Sequence, residues 1–319
     1  MNTGNDITFV IQGPINTFCI KKSIDKIRTL FQNAKIIVSS FYGADTSGLL
    51  ADSIILSDDP GCFYYSKKQK EKTNNINRQI VSTCAGLKAA KTRYSFKLRS
   101  DFILYNKNFL NYFNLFLDYD QEYKLFSHKV LIPCLFTRNP NFCSFLFHPS
   151  DVAAFGVTSD LFDYFNAPLM KIKEAYWDSG NNYFCRYVPE QYLFINFLKK
   201  KGEKEHYFHY YNNYTKRNRN DYIKYILSNF TVLNMHQLGI KTDNKNFLLC
   251  NNQYSMYNTI SHNDFIKEYN HNFNTFIQYK CTYEDKYIKK FRYIIIIRHY
   301  IAHKVKRLLS ILKIIKSKG

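Results

Sequence analysis

The chain holds one tryptophan and seven prolines in 319 residues, and its eight cysteines include no Cys-x-x-Cys pair. That pattern excludes a zinc ribbon, a thioredoxin-like motif and a dense disulfide framework. Cys84, Cys143 and Cys185 lie within apolar segments, where a reduced core thiol is the ordinary role. A reduced set fits a cytosolic location. The longest wholly apolar run near the end, Tyr293 to Ile297, is far short of the ~20 residues a spanning helix needs. The opening residues, MNTGNDITFVIQGP, have no basic region before the apolar run, so no secretory signal is expected. Acidic residues are also few, 25 against 45 Lys and Arg, for a net charge of +20. Eleven of those cations fall between Lys286 and Gly319, a stretch with no Asp or Glu. More than half of the net charge is therefore local, which points to a localised anionic partner rather than a generally basic protein.

What is present is apolar and aromatic. Hydrophobic residues make up 45% and aromatics 18%, enough for a sizeable core and incompatible with disorder. The stretch Arg78 to Leu104 organises the rest. Its first half carries Ile80, Cys84 and Leu87 at helical spacing, with Ser82, Ala85, Gly86, Ala89 and Ala90 small enough for close packing. Its second half alternates Tyr94, Phe96 and Leu98 with Ser95, Lys97 and Arg99, and Asp101 to Leu104 continue it as a strand. Charge at the end of such a strand lies where open α/β sheets keep their ligands.

Short strands at Ile7–Ile11, Lys35–Ser40 and Ser53–Leu56 precede it, the first two separated by a helix with Ile20, Ile24, Ile27 and Phe31 on one face. That alternation predicts a mostly parallel sheet flanked by helices. The polar run Ser66–Asn77 reads as a solvated loop or a lid. A helix is expected after Asn108, carrying Phe109, Phe113, Phe116 and Leu117. Apolar runs follow at Lys129–Phe136, Phe142–Phe147 and Val152–Val157, then a short helix over Ser159–Phe165. Pro189 suits the first turn of a helix through Leu198, and Glu190 suits its N-terminus. Ser261 and Asp264 form a capping box before a helix with Phe265, Tyr269, Phe273 and Phe276 on one face. At the end, Ile301, Val305, Leu308, Leu312 and Ile315 face away from His303, Lys306, Arg307, Lys313 and Lys316, as in a basic amphipathic helix. The expected division is residues 1–206 as the main domain, 207–285 as its completion, and 286–319 as the basic extension.

Several residues have chemistry to offer. Asp101 is the sharpest candidate for holding Mg²⁺ or Mn²⁺ beside a diphosphate, although Arg99 stands where a second acid is usual. Arg99 suits direct phosphate contact, or a structural pair with Asp101. Asp58 and Asp59 suit a ribose or base, or a plain turn. Asn77, Arg78 and Gln79 at a helix start offer N–H groups and a cation to phosphate, with an ordinary N-cap as the bland alternative. Gln12 and Gly13 allow a ligand close to the backbone. Asp151 and Glu190 are the general-base candidates, unless one caps a helix and the other merely complements its dipole. Lys216, Arg217 and Arg219 are most simply a solvated loop.

In order along the chain, ITFVIQGP, SIDKIRTLFQNAKIIVSS, DDPG, NRQIVSTCAGLKAA, KLRSD, FHPSDVAAFG and PEQY together resemble the WavE-type lipopolysaccharide synthesis family. The resemblance covers about the first 200 residues in a consistent order and is loose beyond Tyr207. It implies a GT-A-like glycosyltransferase whose nucleotide-sugar site includes Gln12, Gly13, Asp58, Asp59, Asn77, Arg78 and the metal-motif position Asp101, with Arg99 standing in place of the motif's first acid. It also implies a base at the start of a helix after a Gly-containing acceptor loop, an order matched by Gly156 and Glu190. The implied partners are a nucleotide-sugar donor, a glycolipid or polysaccharide acceptor for lipopolysaccharide, O-antigen or capsule, and, for the basic helix, the anionic inner face of the cytoplasmic membrane. Two other readings remain beside it. One is a nucleic-acid-binding protein using the tail and its aromatics, which lacks any recognised motif. The other is a catalytically silent membrane scaffold.

Overall fold

Apolar runs too short for a core helix alternate here with amphipathic stretches, and the chain folds accordingly. The computed structural model describes residues 4–15, 17–66, 69–143, 145–176, 185–203, 215–243 and 258–316. Strand β1 (Ile7–Gln12), helix α1 (Thr17–Leu30), β2 (Lys35–Phe41) and β3 (Ser53–Ser57) open the chain. A hairpin of β4 (Phe63–Ser66) and β5 (Gln69–Asn74) leads into α2 (Ile76–Ala89), β6 (Tyr94–Arg99) and the short β7 (Ile103–Leu104). Then come β8 (Val130–Pro133), β9 (Ala153–Val157), α3 (Thr158–Phe165), α4 (Ile172–Ala175) and α5 (Pro189–Lys200). The chain closes with α6 (Lys216–Asn229), β10 (Phe230–Leu233), α7 (Met235–Leu238), β11 (Ile240–Lys241), α8 (His262–Phe273) and α9 (Tyr283–Lys316).

Seven strands form the main sheet in the order β10–β8–β9–β6–β1–β2–β3. Strands β3, β2, β1 and β6 run parallel, β9 is antiparallel to both neighbours, and β10 is again parallel to β8. Both faces are covered. Phe9, Ile11, Phe96, Leu98 and Phe155 point toward α1 and the segment around Phe109, while Val10, Ile37 and Ala154 point toward α2, α3 and α5. Gly86 allows α2 to lie close on the sheet: a Cβ there would stand 2.4 Å from Val10 Cγ1 and 3.2 Å from Ser39 Cβ.

Four expectations need correction. The strand after α2 ends at Arg99 in a turn, and Ile103–Leu104 pairs separately with Ile240–Lys241. The polar run after Ser66 is strand β5 of a hairpin, because ladder pairing uses backbone groups that polar residues also carry. The helix expected after Asn108 is one 3₁₀ turn, Asn108–Asn111. Asn106 Oδ1 accepts from Asn108 N (2.9 Å), and the ring of His128 lies 3.2 Å from the Phe113 carbonyl, so side chains replace helical bonds there. Phe109, Phe113 and Phe116 are buried nonetheless, and Leu117 is exposed. Finally, α8 ends at Phe273 on left-handed Asn274, which leaves Phe276 in solvent.

Helix α9 begins at Tyr283, earlier than the expected boundary, and its first half is docked through Ile288, Arg292 and Ile295. Arg292 donates to both oxygens of Asp264 (2.9 and 2.6 Å), the residue that also closes the capping box of α8. Tyr293, Ile294, Ile296, Ile297 and Ile301 are exposed, each by about half. Ile301 is the only member of the expected apolar stripe whose side chain is described.

Candidate functional site

At the carboxyl ends of β1, β2 and β6 the chain turns away from the sheet and leaves a cleft of about 720 Å³. One wall is set by backbone geometry. Gly13 adopts φ +123°, and a Cβ there would stand 2.9 Å from Ser100 Oγ. Gly13 N donates to Ser39 O (3.1 Å) and Ser100 N to Gln12 O (2.9 Å), tying the ends of three adjacent strands together. The Gln12 side chain accepts from Ser82 of α2 (2.8 Å). Arg78, in the first turn of α2, donates to both oxygens of Asp59 (2.8 and 2.7 Å) and to Asn75 (3.1 Å). That hydrogen bond holds the Asp59 carboxyl below its usual range and raises Arg78 further. Arg99 donates to both oxygens of Asp101 (3.1 and 2.9 Å); burial lowers the guanidinium, but Asp101, Asp151 and Glu190 together outweigh it and raise it.

The opposite wall is made by Phe136, Arg138, His148, Asp151, Val188, Pro189 and Glu190. Pro189 opens α5 and turns Glu190 inward, where its side chain is 12% exposed and 3.6 Å from His148 Nε2. Burial holds the imidazole pKa down to about 3, with the Arg138 charge adding to it, so His148 is neutral. Burial likewise raises both Glu190 and Asp151, and the Glu190 charge raises Asp151 further. Asp151 is 3% exposed, and its Oδ1 has no hydrogen-bond partner among the described residues. Two buried carboxyls that repel each other hold a proton to higher pH than an ordinary acid does.

Gln12, Gly13, Asp59, Arg78, Gln79, Arg99, Asp101, Asp151 and Glu190 thus meet in one cleft, although they are spread over almost 180 positions. Asp58 does not line it. Asn77 does not either: it lies inside α2, whose N-cap is Asn75, and its amide braces Met170 by donating to the carbonyl (3.0 Å) and accepting from the N–H (2.8 Å). Gly156 is in strand β9, paired with Ser95, and not in a loop. Arg217 and Arg219 lie on α6 beside Asp221 and Asn141, away from the cleft. Sequence reasoning passed over Arg138, His148 and Lys97. For His148 a signal was present, since it stands three residues before Asp151 in the FHPSD motif.

Both oxygens of Asp101 are engaged by Arg99, and no three His, Cys, Asp or Glu residues gather to hold a metal among the described residues. Nor is any helix long and apolar enough to cross a membrane among those residues.

A mostly parallel sheet with β9 reversed and a cleft over its carboxyl edge defines a GT-A-like α/β protein. The chain belongs to the WavE lipopolysaccharide synthesis family, whose sequence model matches residues 7–308. Membership implies a glycosyltransferase-type role in lipopolysaccharide synthesis, with a sugar donor and a polysaccharide acceptor. No match is found among curated proteins.

Proposed function

We propose that the protein transfers a sugar from a nucleotide-sugar to a hydroxyl of a lipopolysaccharide, O-antigen, capsule or lipid-linked glycan, by direct displacement. One observation carries this reading: arginines 78 and 99 and the Gly13 turn face a buried carboxylate pair across a single cleft. The diphosphate lies against Gly13, Arg78 and Arg99, whose guanidiniums match phosphate oxygens and exchange their present carboxylate partners for them. The acceptor enters along Phe136, His148 and Glu190. Its oxygen attacks the anomeric carbon as the bond to the diphosphate breaks, the nucleoside diphosphate leaves, and the hydroxyl proton passes to the Asp151–Glu190 pair. Glu190, the more exposed of the two, receives it. Charge on the leaving group is met by guanidinium rather than by a divalent ion. The exposed isoleucines and the cations of α9 hold the enzyme on the anionic inner face of the cytoplasmic membrane, where such acceptors are presented.

The deciding experiment is a screen of nucleotide-sugars by thermal shift, followed by nucleotide release in the presence of membrane-extracted acceptor. Stabilisation by one nucleotide class and release that depends on acceptor are expected. No stabilisation by any nucleotide would overturn the reading.

A further inference from the structure

Lys97 occupies the centre of β6, opposite Val10 of β1 and Ala154 of β9, and is fully buried. Its ammonium donates to the carbonyl of Asp151 and lies 5.0 Å from the centre of the Phe165 ring on α3. The charged groups that act on it are Asp151 before β9, Glu190 on α5, and Arg99 and Asp101 at the end of its own strand. From α3 it meets the uncharged ring of Phe165; from α2, Gln79 approaches Asp151 without forming a well-made hydrogen bond. Leucine or methionine would fill the same space without desolvating a cation, so packing alone does not account for a lysine here.

We propose that Lys97 is a positioning residue for the base: its ammonium fixes the Asp151 backbone and keeps charge on the Asp151–Glu190 pair. The inference rests on the reading of that pair as the proton acceptor. Lys97 is the cation that acts most strongly on Asp151, and its charge lowers both carboxyls against the burial that raises them. Without it the pair holds its proton to higher pH, and the base is lost where the wild type still has one.

Lys97→Met keeps the length and removes the charge. The acid limb of the pH–rate profile for nucleotide release is expected to move up by about one pH unit or more, while nucleoside diphosphate affinity by calorimetry stays within about twofold. A limb that stays in place, with turnover lowered uniformly, would mean a merely structural lysine and overturn the proposal. A second measurement needs no turnover: infrared absorption of the protonated carboxyls is followed against pH in wild type, Lys97→Met and Asp151→Asn. A midpoint that rises in Lys97→Met, in a band that Asp151→Asn diminishes, supports the proposal, and an unmoved midpoint refutes it. If the wild type binds no nucleoside diphosphate, the glycosyltransferase reading fails on its own, and the infrared midpoints still decide the role of Lys97.

Discussion

Lys97→Met should make the protein more stable at neutral pH while making it a worse catalyst. Burial draws the Lys97 pKa from 10.5 down to about 8. A shift of that size corresponds to about 3 kcal/mol, lost for as long as the folded protein must carry the proton. Between pH 8 and 10.5 the unfolded chain binds more protons at this position than the folded one, so stability is regained as pH rises through that window. Below pH 8 both states are protonated and the full cost applies. Methionine removes the cost but leaves the Asp151 carbonyl without its donor, which returns about 1–2 kcal/mol. The net expectation at pH 7 is a gain of about 1–2 kcal/mol, or a rise in Tm of roughly 2–6 °C. Differential scanning fluorimetry of both proteins from pH 6 to 10 follows the effect, because every titrating group outside the Asp151–Glu190 pair is common to the two. The difference in Tm should shrink steadily above pH 8. A variant that melts several degrees lower at pH 7, or a difference that does not change with pH, would refute the reasoning.

Glu190→Gln and Asp151→Asn should each lower nucleotide release by about 10²–10⁴-fold while leaving nucleotide binding intact; binding lost in parallel would assign them to the donor instead. Since burial raises both carboxyls, wild-type turnover should fall off on the acid side at a pH above the ordinary carboxylate range, as the pair takes up its proton. Treatment with EDTA should leave turnover unchanged, and a demand for Mn²⁺ would show that Asp101 exchanges Arg99 for a metal. Gly86→Leu should destabilise by about 1–3 kcal/mol or more in urea denaturation, because the new side chain meets Val10 and Ser39 at once. Replacing Ile294, Ile296 and Ile297 together by Ser should weaken flotation with phosphatidylglycerol vesicles while leaving turnover of a soluble acceptor unaltered; equal flotation would locate membrane binding elsewhere.

The first βαβ units and the N-termini of α2 and α5 were legible because short apolar runs and helix-start chemistry are local signals. Arg78, Arg99, Asp101, Asp151 and Glu190 were legible for the same reason, each lying at the end of a recognisable element. Lys97 was not. Its alternation with Phe96 and Leu98 reads as a strand with one wet face, whereas α2 and α3 cover that face, and coverage is a tertiary fact. Strand β5 left no apolar trace, because the outer strand of a peripheral hairpin needs little beyond its backbone. The segment after Asn108 misled by its spacing: phenylalanines three and four apart can be buried by irregular chain when asparagine and histidine side chains satisfy the backbone. Arg138 and His148 join the cleft only through the folding of the chain between β8 and β9.

Glu284, in the first turn of α9, accepts hydrogen bonds from the N–H groups of Met235 and His236 at the start of α7 (3.1 and 3.0 Å). Helix α7 runs directly into β11, which pairs with β7, and Thr242 just beyond donates to the carbonyl of Asp101 (2.7 Å). The basic helix is therefore not a tether paid out from a freely tumbling catalytic body. It is fastened to the body at its first turn, through successive hydrogen bonds that reach the turn carrying Asp101. On the proposed reading of α9 as the membrane contact, a surface that held this helix would meet the cleft at a set height and tilt and would select which acceptor hydroxyls come within reach.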